Sequence, residues 1–321
     1  MNTILATPVQ ERLQQVEALL YAQIDTRLSG LSSALCQLIA SGGKRIRPRV
    51  SLLTASMLGA DEHKSVLLAA AIELLHTATL IHDDLVDNAS LRRGVSTLNA
   101  RFSPAITVLA GDFAFARAAK LASETASSSV TRLFAETLAV MTDGELTQAS
   151  RNRGITSRAE YYHWIHAKTA SLFQLATGAA ALLSEADDRL VASAYEFGYA
   201  IGMAFQIVDD VLDFTGDQRS LGKPTGSDLR QGVITLPVLC FLETHPDDPD
   251  ILRIIKDPRG RKNFRLNRIL AAIRENGATH QALSEAGNFV QRALAALDDL
   301  PATPERSALA EIAHSIINRD S

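Results

Sequence analysis

Aromatic residues are scarce in this chain, 5% of 321 positions against 46% hydrophobic overall, so its core must be built mainly from aliphatic side chains. Cysteine is nearly absent too. Cys36 and Cys240 lie far apart in apolar settings and form no metal-type spacing, which argues against a disulfide framework and reads as two buried free thiols. No excess of basic charge exists either: the formal charge of -4 gives no support to nucleic-acid binding. No stretch reaches about 18 uninterrupted apolar residues. The longest candidate, Val66 to Ile81, contains Glu73 and His76. The first residues, MNTILATPVQERLQQ, carry polar groups and an acid where a signal peptide would need an apolar core. A soluble cytoplasmic protein is the expectation, touching membranes at most peripherally.

What the chain has in abundance is helical periodicity, with no run of alternating β-branched residues, no internal repeat and no composition break. The pattern predicts one or two helices over 8–40, broken by Ser-Gly near Gly30 and stopped at Ser41-Gly42-Gly43. Further helices are expected over 49–58, 64–87, 104–126, 129–150, 158–183 and 187–214, then over 235–244, 263–275, 279–298 and 304–319. Two stretches rich in Gly, Pro, Asp and Lys, 215–234 and 245–262, read as long loops of the kind that serve as lids. Segments such as 167–183 are apolar on nearly every face, so they belong inside a bundle. The fold class expected is all-α, a single large helical bundle domain over 1–321, with its site built in the core from facing helices.

Charge is concentrated in LIHDDLVDNASLRRG, residues 80–94. On a helix, Asp83 and Asp87 stack on one face while Asp84 points about 100° away. Like charges at that spacing destabilise a helix, and at its C-terminal end the dipole disfavours them again. An arrangement unfavourable twice over suggests a compensating cation. The pattern recurs in FQIVDDVLDF, residues 205–214, with Asp209, Asp210 and Asp213. One such motif is a weak signal; two, each after a long apolar helix, are hard to explain as solvated surface. Oxygen ligands without His or Cys favour a hard cation, and Mg²⁺ characteristically combines a few carboxylates with substrate phosphates. Neither cluster has the alternating ligands and central Gly of a calcium loop.

Cations complete the picture. Gly42-Gly43-Lys44-Arg45-Ile46-Arg47-Pro48 offers a basic turn before a helix, Arg92 and Arg93 follow the first cluster, and Lys223 follows the second. Singly, each is more often a solvated charge; together they describe a polyphosphate site. His76 lies seven residues before Asp83, so on a helix both side chains point the same way.

These motifs closely resemble the all-trans isoprenyl diphosphate synthases, long-chain octaprenyl or solanesyl-like members included. The resemblance is carried by GGKRIRP (42–48), HTATLIHDDLVD (76–87), RRG (92–94), LAGDF (109–113), KTA (168–170), FQIVDDVLDF (205–214) and LGKPTGSDL (221–229), in the family's order. It implies an all-helical isoprenoid synthase fold with a central cavity, a homodimer, and Mg²⁺ as cofactor. It also implies that Asp83, Asp87 and Asp209 ligate Mg²⁺ directly, supported by Asp84, Asp210 and Asp213. Lys44, Arg47, His76 and Arg93 are implied to hold isopentenyl diphosphate. Arg92, Lys168, Thr169, Gln206 and Lys223 are implied to hold the allylic diphosphate. The implied reaction ionises the allylic C–O bond, adds the isopentenyl double bond to the cation, and loses a proton to the departing diphosphate.

In this family product length depends on what plugs the cavity beneath the first aspartates. Ala71, Leu75 and Ala78 share one helix stripe with His82, and Thr79 and Ala78, the fourth and fifth residues before Asp83, are small. A long-chain product of roughly the octaprenyl class, of the kind used for quinone side chains, is expected; a geranylgeranyl or geranylfarnesyl product is the alternative. Val233 stands where many relatives carry a lysine, which removes one allylic phosphate contact. A terpene cyclase would be expected to carry a different second metal motif and more aromatics. A non-catalytic synthase subunit would be expected to have lost one cluster, and both are intact.

Overall fold

A computed structural model describes residues 7–24, 29–92, 94–150, 157–216, 225–256 and 266–319. The helices of the first half are α1 (Thr7–Gln23), α2 (Ser29–Ala40), α3 (Ile46–Leu58), α4 (Glu62–Val86), α5 (Leu98–Arg101), α6 (Pro104–Glu124) and α7 (Ser128–Ser150). Then come α8 (Arg158–Ile165), a π-helical turn (His166–Ala170), α9 (Ser171–Leu183) and α10 (Asp188–Thr215). The remainder is α11 (Ser227–Gln231), α12 (Leu236–Thr244), α13 (Pro249–Lys256), α14 (Leu266–Glu275), α15 (Ala278–Asp298) and α16 (Pro304–Ile317). The all-α expectation holds.

The described residues fall into two compact units, one within Met1–Leu138, Leu172–Gly198 and Ala295–Glu311, the other within Ala139–Ser171, Tyr199–Leu294 and Ile312–Ser321. Each is discontinuous in sequence, which is why no composition break announces them.

In the first unit α4 is the central helix, packed against α6, α3 and α1. Asp61 caps its start by accepting from the Lys64 N–H at 2.9 Å. Leu68, Ala69, Ala70, Ala71, Ile72, Leu74, Leu75 and Ala78 are fully buried, so α4 is apolar nearly all round. Burying each leucine stabilises by about 1.5–3 kcal/mol. By length and composition α4 could cross a membrane, but 78% of that window lies inside the protein, as a core helix requires. Small residues bring α6 close. A Cβ on Gly111 would stand 2.1 Å from the His82 Nε2, so any larger residue there would push the His82 ring aside.

In the second unit a capping box of Ser157 and Glu160 starts α8. The next residue, Arg158, ties α8 to α12 through Glu243 at 2.8 Å and to α15 through Glu285 at 2.6 Å. Tyr162 also donates to Glu285. Inside 158–183, expected as one helix, the π turn interrupts the α pattern at Lys168 and Thr169.

Several local expectations are corrected. Ser29 and Gly30 begin α2 rather than breaking a helix. A small antiparallel hairpin, β1 (Leu91–Arg92) and β2 (Val95–Ser96), turns at Gly94 with φ 75°. The stretch 245–262 is partly helix: Ile251 is fully buried and Ile254 nearly so along α13, and Asp250 is clasped by Arg268. Cys240 is buried as expected, whereas Cys36 is half-buried.

Candidate active site

The first aspartate cluster ends α4, with Asp87 as C-cap. Asp83 is half-buried and Asp87 exposed, the single helix face foreseen from their spacing. Asp84 points inward, 2% exposed, and accepts from Arg92 Nε at 2.8 Å. Burial raises the Asp84 pKa; the Arg92 charge and hydrogen bond oppose that shift, and neighbouring Asp87 adds to it. Arg92, assigned from sequence to the allylic diphosphate, is thus first of all the anchor of Asp84. Its remaining N–H groups leave it able to donate to an anion as well. Arg93 lies outside the described residues.

The basic turn before α3 separates its cations. Lys44 is exposed, Arg45 is buried, and Arg47 is half-buried with its guanidinium 4.7 Å from the centre of the Phe173 ring. His76 is half-buried on α4, where its carbonyl accepts from the Thr79 hydroxyl at 2.8 Å. Of the proposed chain-length residues, Ala71, Leu75 and Ala78 are fully buried, while Thr79 is half-buried. The stripe ends at His82, whose ring lies 5.3 Å from that of Phe115 and whose Nε2 is 3.1 Å from the Val108 carbonyl oxygen. The stripe therefore turns towards α6 at its aspartate end.

The second cluster, near the end of α10, is more enclosed. Asp210, 2% exposed, accepts from the Tyr161 hydroxyl at 2.6 Å and from Gln206 Nε2 at 2.9 Å. The Gln206 carbonyl in turn accepts from the Thr169 hydroxyl at 2.6 Å. This chain of hydrogen bonds runs from the π turn to the aspartate helix, and π turns recur at functional sites. Desolvation pushes the Asp210 pKa well up, with Asp228 and Asp209 adding to it. Asp213, 1% exposed, accepts from the Asp228 N–H at 3.2 Å. Asp209 is more open and stands 3.2 Å from Arg319, which also lies over the Phe205 ring. Lys168 is half-exposed, its Nζ 3.6 Å from Glu145. Lys223 lies outside the described residues. The Val233 N–H donates to the Asp228 carbonyl at 2.9 Å.

All the acidic donors are carboxylate oxygens, which fits a hard divalent cation. Among the described residues no three His, Cys, Asp or Glu side chains are gathered into a finished metal cage. The physical reason is visible: Asp84, Asp210 and Asp213 are committed to protein donors. A cation at the outward carboxylates would take its other ligands from substrate and water, the ordinary habit of Mg²⁺. Sequence reasoning missed Tyr161, Arg319 and Arg45. For Arg45 the sequence held half a signal: Glu73, a lone acid inside an apolar helix, needs a partner, but nothing local says which cation of the turn supplies it.

The polyprenyl synthetase family model matches residues 29–273, which contain both clusters and the basic turn. The chain belongs to the polyprenyl synthetase family. It is a prenyltransferase by that membership. The octaprenyl diphosphate synthase of Haemophilus influenzae is 33% identical over 309 residues, covering 96% of this chain and 94% of that one. Component 2 of the heptaprenyl diphosphate synthase of Geobacillus stearothermophilus is 34% identical over 313 residues, 97% of each chain. Among solved structures, the polyprenyl synthase of Caulobacter crescentus, complexed with calcium and isoprenyl diphosphate, has a TM-score of 0.92. It is 35% identical, and the match covers 98% of this chain and 96% of that one. Polyprenyl synthetases of this kind share the all-α fold described above.

Proposed function

We propose that residues 1–321 act as a single catalytic domain, a cytoplasmic, Mg²⁺-dependent synthase joining isopentenyl diphosphate head-to-tail to allylic diphosphates. The product proposed is a long all-trans polyprenyl diphosphate of roughly the octaprenyl class, suited to quinone side chains. The observation carrying this reading is the matched pair of DDxxD helices, each turning at least one carboxylate outward while a partnered acid anchors it from within.

Asp83, Asp87 and Asp209 would hold the cation, with Asp84, Asp210 and Asp213 setting their positions. When bound, Mg²⁺ supplies Lewis-acid neutralisation of the departing diphosphate. Lys168, Thr169, Gln206, Arg92 and Lys223 hold and orient the allylic diphosphate, and preorganised cations of this kind favour the charge that builds as its C–O bond breaks. Lys44, Arg47, His76 and Arg93 hold isopentenyl diphosphate so that its double bond meets the allylic carbon. A new C–C bond forms, and the proton lost from the adduct goes to the released diphosphate. Positioning and electrostatics, with no protein nucleophile, do the chemistry.

Fully buried Ala71, Leu75 and Ala78 and the small Thr79 support a long product, because none places a large ring beneath the aspartates. The octaprenyl name of the H. influenzae relative agrees. Exposed Val108 and Leu109 on α6 support a homodimer, as unpartnered apolar surface does. A second reading, the catalytic member of a two-component enzyme, is favoured by the name of the G. stearothermophilus relative. The test is incubation of the purified chain with isopentenyl diphosphate, Mg²⁺ and primers of increasing length, then sizing of the dephosphorylated products. Elongation to about forty carbons by the chain alone is expected. Elongation only after a second polypeptide is added would favour the two-component reading, and none with any partner would defeat the assignment.

A further inference from the structure

Arg45 sits between Lys44 and Arg47 in the basic turn, and its surroundings differ from theirs. Its side chain is 8% exposed and lies 2.8 Å from that of Glu73, itself 7% exposed on α4. Its Nη2 donates to the carbonyl of Ile39 at the end of α2 at 2.6 Å, and its Nε lies 3.6 Å from Glu17 of α1. The backbone at Arg45 is left-handed, φ 50° and ψ 42°, an uncommon and strained conformation for a residue with a Cβ. The guanidinium passes directly across Gly42, where an added Cβ would stand 2.0 Å from Nη1.

A buried ion pair is weak evidence of stability, since a well-packed apolar pair often does as well or better. What this pair does is geometric. The left-handed residue sends Lys44 outward and Arg45 inward, and the Arg45 carbonyl then accepts from the Arg49 N–H at 3.0 Å to begin α3, placing Arg47 in its first turn. Glu73 precedes His76 by three residues, so it shares that helix face one turn away. The Arg45–Glu73 bridge therefore sets two cations of the turn against the helix face carrying the histidine.

We propose that Arg45, held by Glu73 beneath Gly42, is the positioning residue of the isopentenyl diphosphate site, fixing Lys44 and Arg47 relative to His76. The inference rests on the prenyl-transfer reading above and adds a part that none of those phosphate contacts includes.

The test uses three full-length variants: Glu73→Gln, nearly isosteric; Arg45→Lys, which keeps the charge but loses the fork that reaches Glu73 and Ile39 together; and Gly42→Ala, which keeps both charges and displaces the guanidinium. Each is melted by circular dichroism and assayed with either substrate varied. The expected result is a rise in the KM for isopentenyl diphosphate on the order of tenfold to a hundredfold, the usual consequence of small misplacement, with the allylic KM within roughly twofold. Unchanged KM values, KM values that move together, or loss of folding in all three variants would assign the pair to stability alone and overturn the proposal. A wild-type chain that fails to elongate at all would instead defeat the functional reading.

Discussion

On α4 the motif leaves Asp83 and Asp87 towards solvent and buries only Asp84, held by Arg92 at 2.8 Å. On α10 the same spacing leaves Asp209 part-exposed and buries both Asp210 and Asp213, one on Tyr161 and Gln206, the other on the Asp228 N–H. Equal letters have thus become unequal sites, a two-carboxylate face and a one-carboxylate face. The common element is the middle aspartate. In both motifs it points inward and meets a donor from another segment, so that its neighbour is fixed facing outward.

The largest test of this contrast is Asp83→Ala against Asp209→Ala. Both remove an outward carboxylate, and turnover should fall by about a hundredfold or more in each, comparable to losing a preorganised electrostatic group. Turnover near wild type in either would break the equivalence of the two outward positions. Ala78→Phe probes the apolar lead-in beneath the first motif. It should shorten the product by several isoprene units while leaving isopentenyl incorporation measurable, and an unchanged product distribution would show that the chain runs elsewhere.

Tyr161→Phe addresses the inner side of the second motif. Removing the hydroxyl strips a buried carboxylate of a donor, a cost of about 1–3 kcal/mol. The melting temperature should drop by about 1.5–4.5 °C, readable by calorimetry. An unshifted melt would mean that Gln206 alone suffices.

A subtler effect concerns pH. Burial raises both inner acids above their ordinary value of 3.8, Asp210 strongly, whereas at Asp84 the Arg92 cation opposes the shift. With the native pKa raised, the folded state binds more protons in the window above 3.8, so the stability contribution is full below 3.8 and is lost as pH rises through the native value. In metal-free protein Asp210→Asn should therefore flatten the decline in stability as pH rises above 3.8 more than Asp84→Asn does. Equal slopes would erase the distinction between the two inner acids.

Smallest is the effect of Arg319→Ala. Arg319 stands 3.2 Å from Asp209. Its loss should lower the Mg²⁺ concentration for half-maximal turnover by up to about fivefold, the worth of an ion pair of about 1 kcal/mol. A higher requirement would show that the arginine assists rather than competes.

The helices were legible because long, strongly periodic segments write their burial into the sequence, as α4 and α10 do. Their ends shifted where local chemistry acted: Ser29 begins α2, and the amphipathic α13 with Ile251 and Ile254 hid in a stretch rich in loop-forming residues. The outward aspartates were legible from a spacing of four. Their inner partners were not, since Tyr161 meets Asp210 across 49 positions and Arg319 meets Asp209 across 110, separations that no local pattern encodes. Arg45 was concealed by company: among three cations in a basic turn, only burial singles out the one that faces inward.

The most direct measurement is calorimetric titration of Mn²⁺ into the chain with inorganic diphosphate present, for wild type and for the Asp83→Ala/Asp209→Ala double variant. If the outward carboxylates hold the metal against diphosphate, wild type binds and the double variant loses that binding while melting normally. Retention of wild-type binding by the double variant would contradict the account.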